Sequence, residues 1–98
     1  MTPEKKVKQK VTKLLDSFGV YWFYPVATGY GSSGIPDIIA CVCGRFIAIE
    51  CKATSKNQPT ALQLHNLARI KDQGGIAVVI HEENIKELHH VINAIVDD

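Results

Sequence analysis

Three charged side chains interrupt the stretch GIPDIIACVCGRFIAIECKA at residues 34–53, which otherwise consists mainly of apolar and small residues. Asp37 follows a proline, and Glu50 and Lys52 flank a single cysteine. Two carboxylates held close together can bind a hard divalent cation such as Mg²⁺, which prefers oxygen ligands. A lysine beside that cation can orient water or stabilise charge developing on a phosphate. These residue types therefore indicate metal-assisted chemistry at a phosphate, provided that the fold brings them together.

A predicted β-hairpin decides whether the two acids meet. Two β-type runs, about 36–42 and 45–53, flank a plausible two-residue turn at 43–44. In that register Asp37 lies directly opposite Glu50, with the β-carbons roughly 4.5–5.5 Å apart on one face of the sheet. Two carboxylates at about 5 Å repel by roughly 3 kcal/mol at an effective dielectric near 20, so a cation between them would be favourable. A slip of one residue would separate them.

The remaining members of this predicted site follow from periodicity. Lys52 is two residues beyond Glu50 and therefore points to the same face. The backbone carbonyl of Cys51 could supply a further metal ligand, and Glu4, on the inward face of the first helix, could add another oxygen. The simpler alternative is that Lys52 forms a partly exposed structural salt bridge with one of the acids.

The elements that must position these residues alternate between helical and β-type patterns, in the order α-β-β-β-α-β-α. The β-α-β crossover after the hairpin predicts a parallel strand pair with a right-handed connection. The fold class is therefore α/β, with a mixed sheet flanked by helices. The predicted elements are helix 3–18, strand 20–26, strands 36–42 and 45–53, helix 59–73, strand 76–80 and helix 82–96.

The size and composition of the chain limit its class. Its 98 residues predict one domain, 1–98, and 46% apolar with 21% charged residues is a globular composition. No apolar run approaches about 18 residues, so no membrane association is expected. The N-terminus is rich in lysine and lacks an apolar signal region, which predicts a cytoplasmic protein. The three cysteines are expected to be reduced, apolar and buried; a zinc site that uses them with histidines is the alternative.

Several residues outside the hairpin could contact nucleic acid. Lysines crowd the first helix, where they could meet phosphates or simply form a solvated face. Ser32 and Ser33, in a glycine-rich loop, could touch a phosphate, although a plain flexible loop is an equal alternative. The predicted contacts are Lys5, Lys6, Ser32, Ser33 and Lys56.

These residues together resemble the PD-(D/E)xK nuclease signature, and the ordered set SGIPDII, IAIECKA, TALQLHNLARIKDQGG and AVVI resembles the VRR-Nuc family, including its small stand-alone phage-type members. The resemblance implies a restriction-endonuclease-like core and a nuclease dependent on Mg²⁺ or Mn²⁺. Asp37 and Glu50 match the metal-binding acids of the family, and Lys52 matches its catalytic lysine. Glu4 matches a helix-one glutamate, and Gln63 matches a glutamine in the helix after the motif strand.

The function that this resemblance implies is endonucleolytic hydrolysis of DNA phosphodiester bonds. The phage-type members resemble enzymes that resolve four-way junctions as homodimers, which predicts branched DNA and a second copy of this chain as partners. The compartment would then be the host cytoplasm if the chain is phage-encoded. Two alternatives stay open: a DNA-binding module that keeps the fold without the chemistry, and a nuclease subunit of a larger restriction or repair system.

Overall fold

The computed structural model describes residues 1–26 and 34–97. Three helices and four strands follow one another in the predicted order α-β-β-β-α-β-α. They are α1 (Pro3–Ser17), β1 (Tyr21–Phe23), β2 (Ile38–Val42), β3 (Arg45–Cys51), α2 (Ala61–Asp72), β4 (Ile76–Ile80) and α3 (Ile85–Val96).

The four strands form one mixed sheet in the order β1-β2-β3-β4. β1 and β2 are antiparallel, as are β2 and β3, whereas β3 and β4 are parallel. The parallel pair is the one that the β-α-β crossover predicts. The predicted α/β class, with a mixed sheet flanked by helices, is therefore confirmed.

The hairpin turn fixes the register on which the predicted site depends. Cys43 and Gly44 both adopt positive φ angles, 49° and 81°. A type I′ turn requires that geometry at both central positions, and its twist matches the twist of the flanking strands. Val42 consequently pairs with Arg45, as predicted, and the ladder continues without a slip to the far end of β2.

Several predicted boundaries differ from the structure. The first strand is only three residues long and ends at Phe23, ahead of Pro25, rather than spanning 20–26. Proline lacks the N–H that a strand ladder needs, so pairing stops before it. The second helix begins at Ala61 rather than 59 because the Thr60 side chain caps it and accepts from the Gln63 N–H.

Helices cover both faces of the sheet. Helices α1 and α3 pack with the strands into the larger core, in which Val11, Leu15, Leu88 and Ile92 are fully buried. Helix α2 packs on the opposite face, with Leu67 against Ala48 and Ala77. Because side chains alternate between faces along a strand, β3 contributes Ile47, Ile49 and Cys51 to the larger core and points Ala48 and Glu50 towards α2.

The cysteines depart from the prediction that all three are buried. Cys51 lies in the larger core, whereas Cys41 and Cys43 are exposed. Cys43 is exposed because it lies in the hairpin turn. Cys41 is exposed because it points to the α2 side of β2, where α2 does not cover the sheet.

On the α2 side of the sheet, the part that α2 leaves uncovered therefore exposes apolar side chains of β1 and β3 to solvent. Tyr21 is 72% exposed, and Phe23 and Phe46 are each 46% exposed. Beside them lies an apolar groove of about 630 Å³ between the sheet and α2, whose lining includes Ile39 and Ile70. Within residues 1–26 and 34–97, no helix is both long and apolar enough to cross a membrane.

Candidate active site

Asp37 and Glu50 meet at one end of the β2–β3 hairpin. The last ladder pair is Ile38 with Ile49, and Asp37 and Glu50 are the next positions outward. Asp37 Oδ2 accepts a hydrogen bond of 2.8 Å from the backbone N–H of Cys51. The two carboxyl groups lie within hydrogen-bonding range of each other. The juxtaposition that the two-residue turn predicts is therefore present.

The segment before Asp37 is held against the first turn of α2. Gly34 has a φ of +75°, and a β-carbon there would lie 2.7 Å from the Leu62 carbonyl carbon. The Gly34 carbonyl accepts a hydrogen bond of 3.0 Å from the Asn66 side chain. A left-handed backbone in such close contact favours glycine, and this contact sets the path by which the chain enters Asp37.

Glu50 is an acid buried almost completely, with 1% of its surface exposed. Its Oε1 accepts from Gln63 Nε2 at 3.1 Å. Its Oε2 is buried and has no hydrogen-bond donor among the described residues. Burial, followed by the adjacent Asp37 carboxylate, raises the pKa of Glu50 to about 8, although Lys52 acts in the opposite direction. Without a cation, Glu50 therefore retains a proton near neutral pH.

Gln63 joins Glu50 to Lys52. Its Oε1 accepts from Lys52 Nζ at 3.0 Å and from the Thr60 N–H at 2.8 Å. The Gln63 N–H in turn donates to the Thr60 hydroxyl, which completes a capping box at the start of α2. Lys52 Nζ lies 4.0 Å from Glu50 Oε1, and the lysine side chain is only 14% exposed. The helix cap therefore fixes the amide that orients the lysine.

Lys8 is a member of the site that the sequence pattern did not predict. Its Nζ lies 3.5 Å from Asp37 Oδ1 and 3.9 Å from Glu4 Oε2. Burial lowers the pKa of Lys8, but the carboxylates of Asp37 and Glu4 raise it by more, so its pKa lies above the ordinary value. Glu4, the predicted helix-one acid, is connected to the pair through Lys8, and its side chain is 45% exposed. The sequence did contain one signal for Lys8: it lies one helical turn after Glu4, so the two side chains share a face of α1.

The donors at this site suit a hard divalent cation. Two carboxyl groups converge, and one buried oxygen of Glu50 has no donor in the part of the chain that the structure describes. A cation can bind such an oxygen without displacing an N–H or hydroxyl donor. Residues 1–26 and 34–97 contain no group of three or more His, Cys, Asp or Glu side chains placed to hold a metal ion. The candidate ligands are thus Asp37, Glu50 and the nearby Cys51 carbonyl, a sparse set typical of Mg²⁺ sites that retain several waters.

The predicted nucleic-acid contacts lie in different parts of the chain. Lys5 and Lys6 are exposed on α1, and Lys56 is exposed in the segment between β3 and α2. Ser32 and Ser33 lie outside the described residues. The structure therefore brings together Asp37, Glu50, Lys52 and Gln63. Lys5, Lys6 and Lys56 are exposed to solvent on other segments.

No protein-family model matches the chain, and no curated protein matches it either. A solved structure described as "VRR_NUC domain" superposes on this chain with a TM-score of 0.80 and 22% sequence identity. The match covers 92% of this chain and 97% of that structure. The resemblance seen in the sequence is thus confirmed at the level of the fold, and the chain has the fold of a VRR_NUC domain.

Proposed function

We propose that this protein is a metal-dependent endonuclease that hydrolyses DNA phosphodiester bonds. The observation that carries the proposal is the Asp37–Glu50 pair, in which a buried Glu50 oxygen has no donor among residues 1–26 and 34–97 and Lys52 Nζ lies 4.0 Å from Glu50. A buried carboxylate oxygen that receives no N–H or hydroxyl donor costs folding free energy, so its burial does not stabilise the fold. A cation site provides a reason to keep it, and the nuclease-domain fold supports a phosphodiester substrate.

In this proposal each residue has a defined task. A bound Mg²⁺ or Mn²⁺ would acidify a water molecule and neutralise charge on the phosphate. Asp37 and Glu50 would hold the cation, together with the Cys51 carbonyl. Lys52 would stabilise the negative charge that develops on the phosphate, because Gln63 fixes its ammonium beside Glu50. With a cation bound, Glu50 would act as a charged ligand and would release to solvent the proton that it otherwise holds near neutral pH.

The proposed substrate is branched DNA, cut by a homodimer whose two sites act on two strands. The exposed apolar side chains around β1 support a second copy as the partner, since β1 is an edge strand and Tyr21 is 72% exposed. A strand edge with apolar neighbours can pair with another strand. The exposed lysines of α1 support contact with phosphates.

Cleavage assays test the activity. Purified protein is incubated with linear, nicked, flap and four-way-junction DNA, with Mg²⁺, Mn²⁺ or EDTA. We expect metal-dependent cleavage that favours the branched substrates and is lost in Asp37→Asn and Lys52→Ala. The exposed Asp72→Asn and Lys71→Ala provide matched controls for the same changes away from the site. Cleavage retained in either site variant would overturn the assignment, and salt-sensitive DNA binding without cleavage would favour the non-catalytic alternative.

Light scattering after size-exclusion chromatography tests the dimer. We expect the wild type to elute at twice the mass of the 98-residue chain. Tyr21→Ser should shift the protein towards monomer, because it removes a large apolar contact from the edge strand. A wild type that is monomeric at micromolar concentration would contradict the dimer while leaving the active-site proposal intact.

A further inference from the structure

Lys8 differs from the other lysines of α1 in its surroundings. Its side chain is 29% exposed, and its ammonium lies between Asp37 Oδ1 at 3.5 Å and Glu4 Oε2 at 3.9 Å. The helix has four other lysines, all of them exposed: Lys5, Lys6, Lys10 and Lys13. The Lys8 ammonium is therefore directed towards Asp37 rather than along the solvated face of α1.

The two oxygens of Asp37 have different partners. Oδ2 accepts from the Cys51 N–H, so the backbone of β3 holds it. Oδ1 is the oxygen that contacts Lys8. A backbone hydrogen bond survives the arrival of a cation, whereas an ammonium 3.5 Å from a ligand oxygen is repelled by a divalent ion. Lys8 and a metal ion consequently compete for the same carboxylate.

The two ammonium groups of the site are held in different ways. Lys52 is tied to Gln63 by a hydrogen bond of 3.0 Å, and Gln63 is itself fixed by the capping box. Among residues 1–26 and 34–97, Lys8 has no such amide partner, and its ammonium contacts two carboxylates at ion-pair distance, one of which lies on its own helix. A long flexible side chain held only by ion pairs can turn towards a new anion at little cost.

We propose that Lys8 is the counterion of Asp37 in the metal-free protein and that metal binding transfers its ammonium to the DNA phosphate that enters the site. This inference rests on the proposed nuclease function. Before metal binds, Lys8 neutralises Asp37 and thereby weakens metal affinity. After metal binds, Asp37 is neutralised by the cation. Glu4 then keeps the Lys8 ammonium within reach of a phosphate oxygen at the metal.

Titration calorimetry with Mn²⁺ alone, without DNA, tests the first half of the proposal. We expect Lys8→Met to bind Mn²⁺ about threefold to tenfold more tightly than the wild type, because one like charge has left a partly exposed site. Lys8→Arg retains the charge and should bind Mn²⁺ like the wild type. Lys10→Met, an exposed change on the same helix, is the matched control and should leave the affinity unchanged. Unchanged or weaker binding by Lys8→Met would overturn the counterion role.

Cleavage at saturating Mn²⁺ tests the second half. We expect Lys8→Met to lose at least about tenfold in kcat/KM, with Lys8→Arg recovering most of it, because the lost ammonium contacts a phosphate that gains charge in the transition state. Equal cleavage by Lys8→Met and the wild type would overturn the phosphate role while the nuclease assignment stands. A wild type that cleaves no DNA would refute the nuclease assignment and with it the phosphate role, whereas tighter Mn²⁺ binding by Lys8→Met would still support the counterion role. Thermal unfolding of each variant confirms that it is folded.

Discussion

Glu50→Gln should stabilise the metal-free protein at neutral and alkaline pH. Burial and the adjacent Asp37 carboxylate raise the pKa of Glu50 from 4.5 to about 8. Between these values the folded protein binds a proton that the unfolded chain has lost. Stability therefore falls as the pH rises through this window. The groups that face Glu50 and set this balance are Asp37, Lys52 and Glu4.

The size of the effect follows from the width of the window. At about 1.4 kcal/mol per pH unit, the interval from 4.5 to about 8 corresponds to a loss of up to about 5 kcal/mol. Glutamine resembles the protonated acid in shape and charge. Its carbonyl can accept from Gln63 Nε2, as Glu50 Oε1 does. The variant should therefore match the wild type near pH 4.5 and exceed its free energy of unfolding by several kcal/mol at pH 8.

Urea denaturation in EDTA at fixed protein concentration measures this difference, with the fluorescence of the single tryptophan, Trp22, as the signal. Glu82→Gln makes the same change at an exposed position and should leave the pH dependence of stability unaltered. Mn²⁺ should stabilise the wild type at pH 8 and leave Glu50→Gln almost unaffected, because the variant lacks the charged ligand. Parallel pH profiles for the wild type and Glu50→Gln would refute the reasoning, as would a variant that is less stable at pH 8.

Two further predictions concern the close contact at Gly34 and the burial of the three thiols. Gly34→Ala should lower the free energy of unfolding by more than about 2 kcal/mol in urea denaturation, because the left-handed φ of +75° and the contact with Leu62 both oppose a β-carbon. Gly19→Ala, with a φ of +68° and open space around it, should cost only about 1 kcal/mol, and equal costs would contradict the packing argument. In the native protein an aromatic disulfide reagent should label the exposed Cys41 and Cys43 rapidly, but not the third thiol, whose pKa burial raises to about 12. Rapid labelling of all three would contradict that burial.

The hairpin was predictable from the sequence because one local feature decides it. A two-residue turn flanked by β-type runs leaves one register, and the side-chain period of two then assigns Asp37, Glu50 and Lys52 to their places. Gln63 was predicted from the family resemblance, which has a glutamine in the helix after the motif strand. For the hairpin, by contrast, a short-range geometric rule connects residues that are close together in the chain.

The features that sequence reasoning missed depend on contacts between distant elements. Lys8 is one of five lysines on α1, and it is distinguished from the others by the contact of its ammonium with Asp37 on the hairpin. The exposure of Cys41 depends on how far α2 extends across the sheet. The early end of β1 at Phe23 is an exception, because it follows from a local signal, Pro25, which the prediction placed inside the strand.

The site illustrates why a folded chain retains an arrangement that weakens it. Burying Glu50 with one oxygen that has no donor among the described residues opposes folding, and the burial of Ile47, Ile49 and Cys51 on the opposite face of β3 offsets that cost. The same β3 strand holds the Glu50 side chain in one direction. It also provides the Cys51 N–H that donates a hydrogen bond to Asp37. If the two strands were more flexible, the carboxyl groups could move apart and reduce their mutual repulsion. The apolar residues between the charged ones therefore hold Asp37 and Glu50 close together, although that arrangement lowers stability. A divalent cation requires two carboxyl groups held close together in this way.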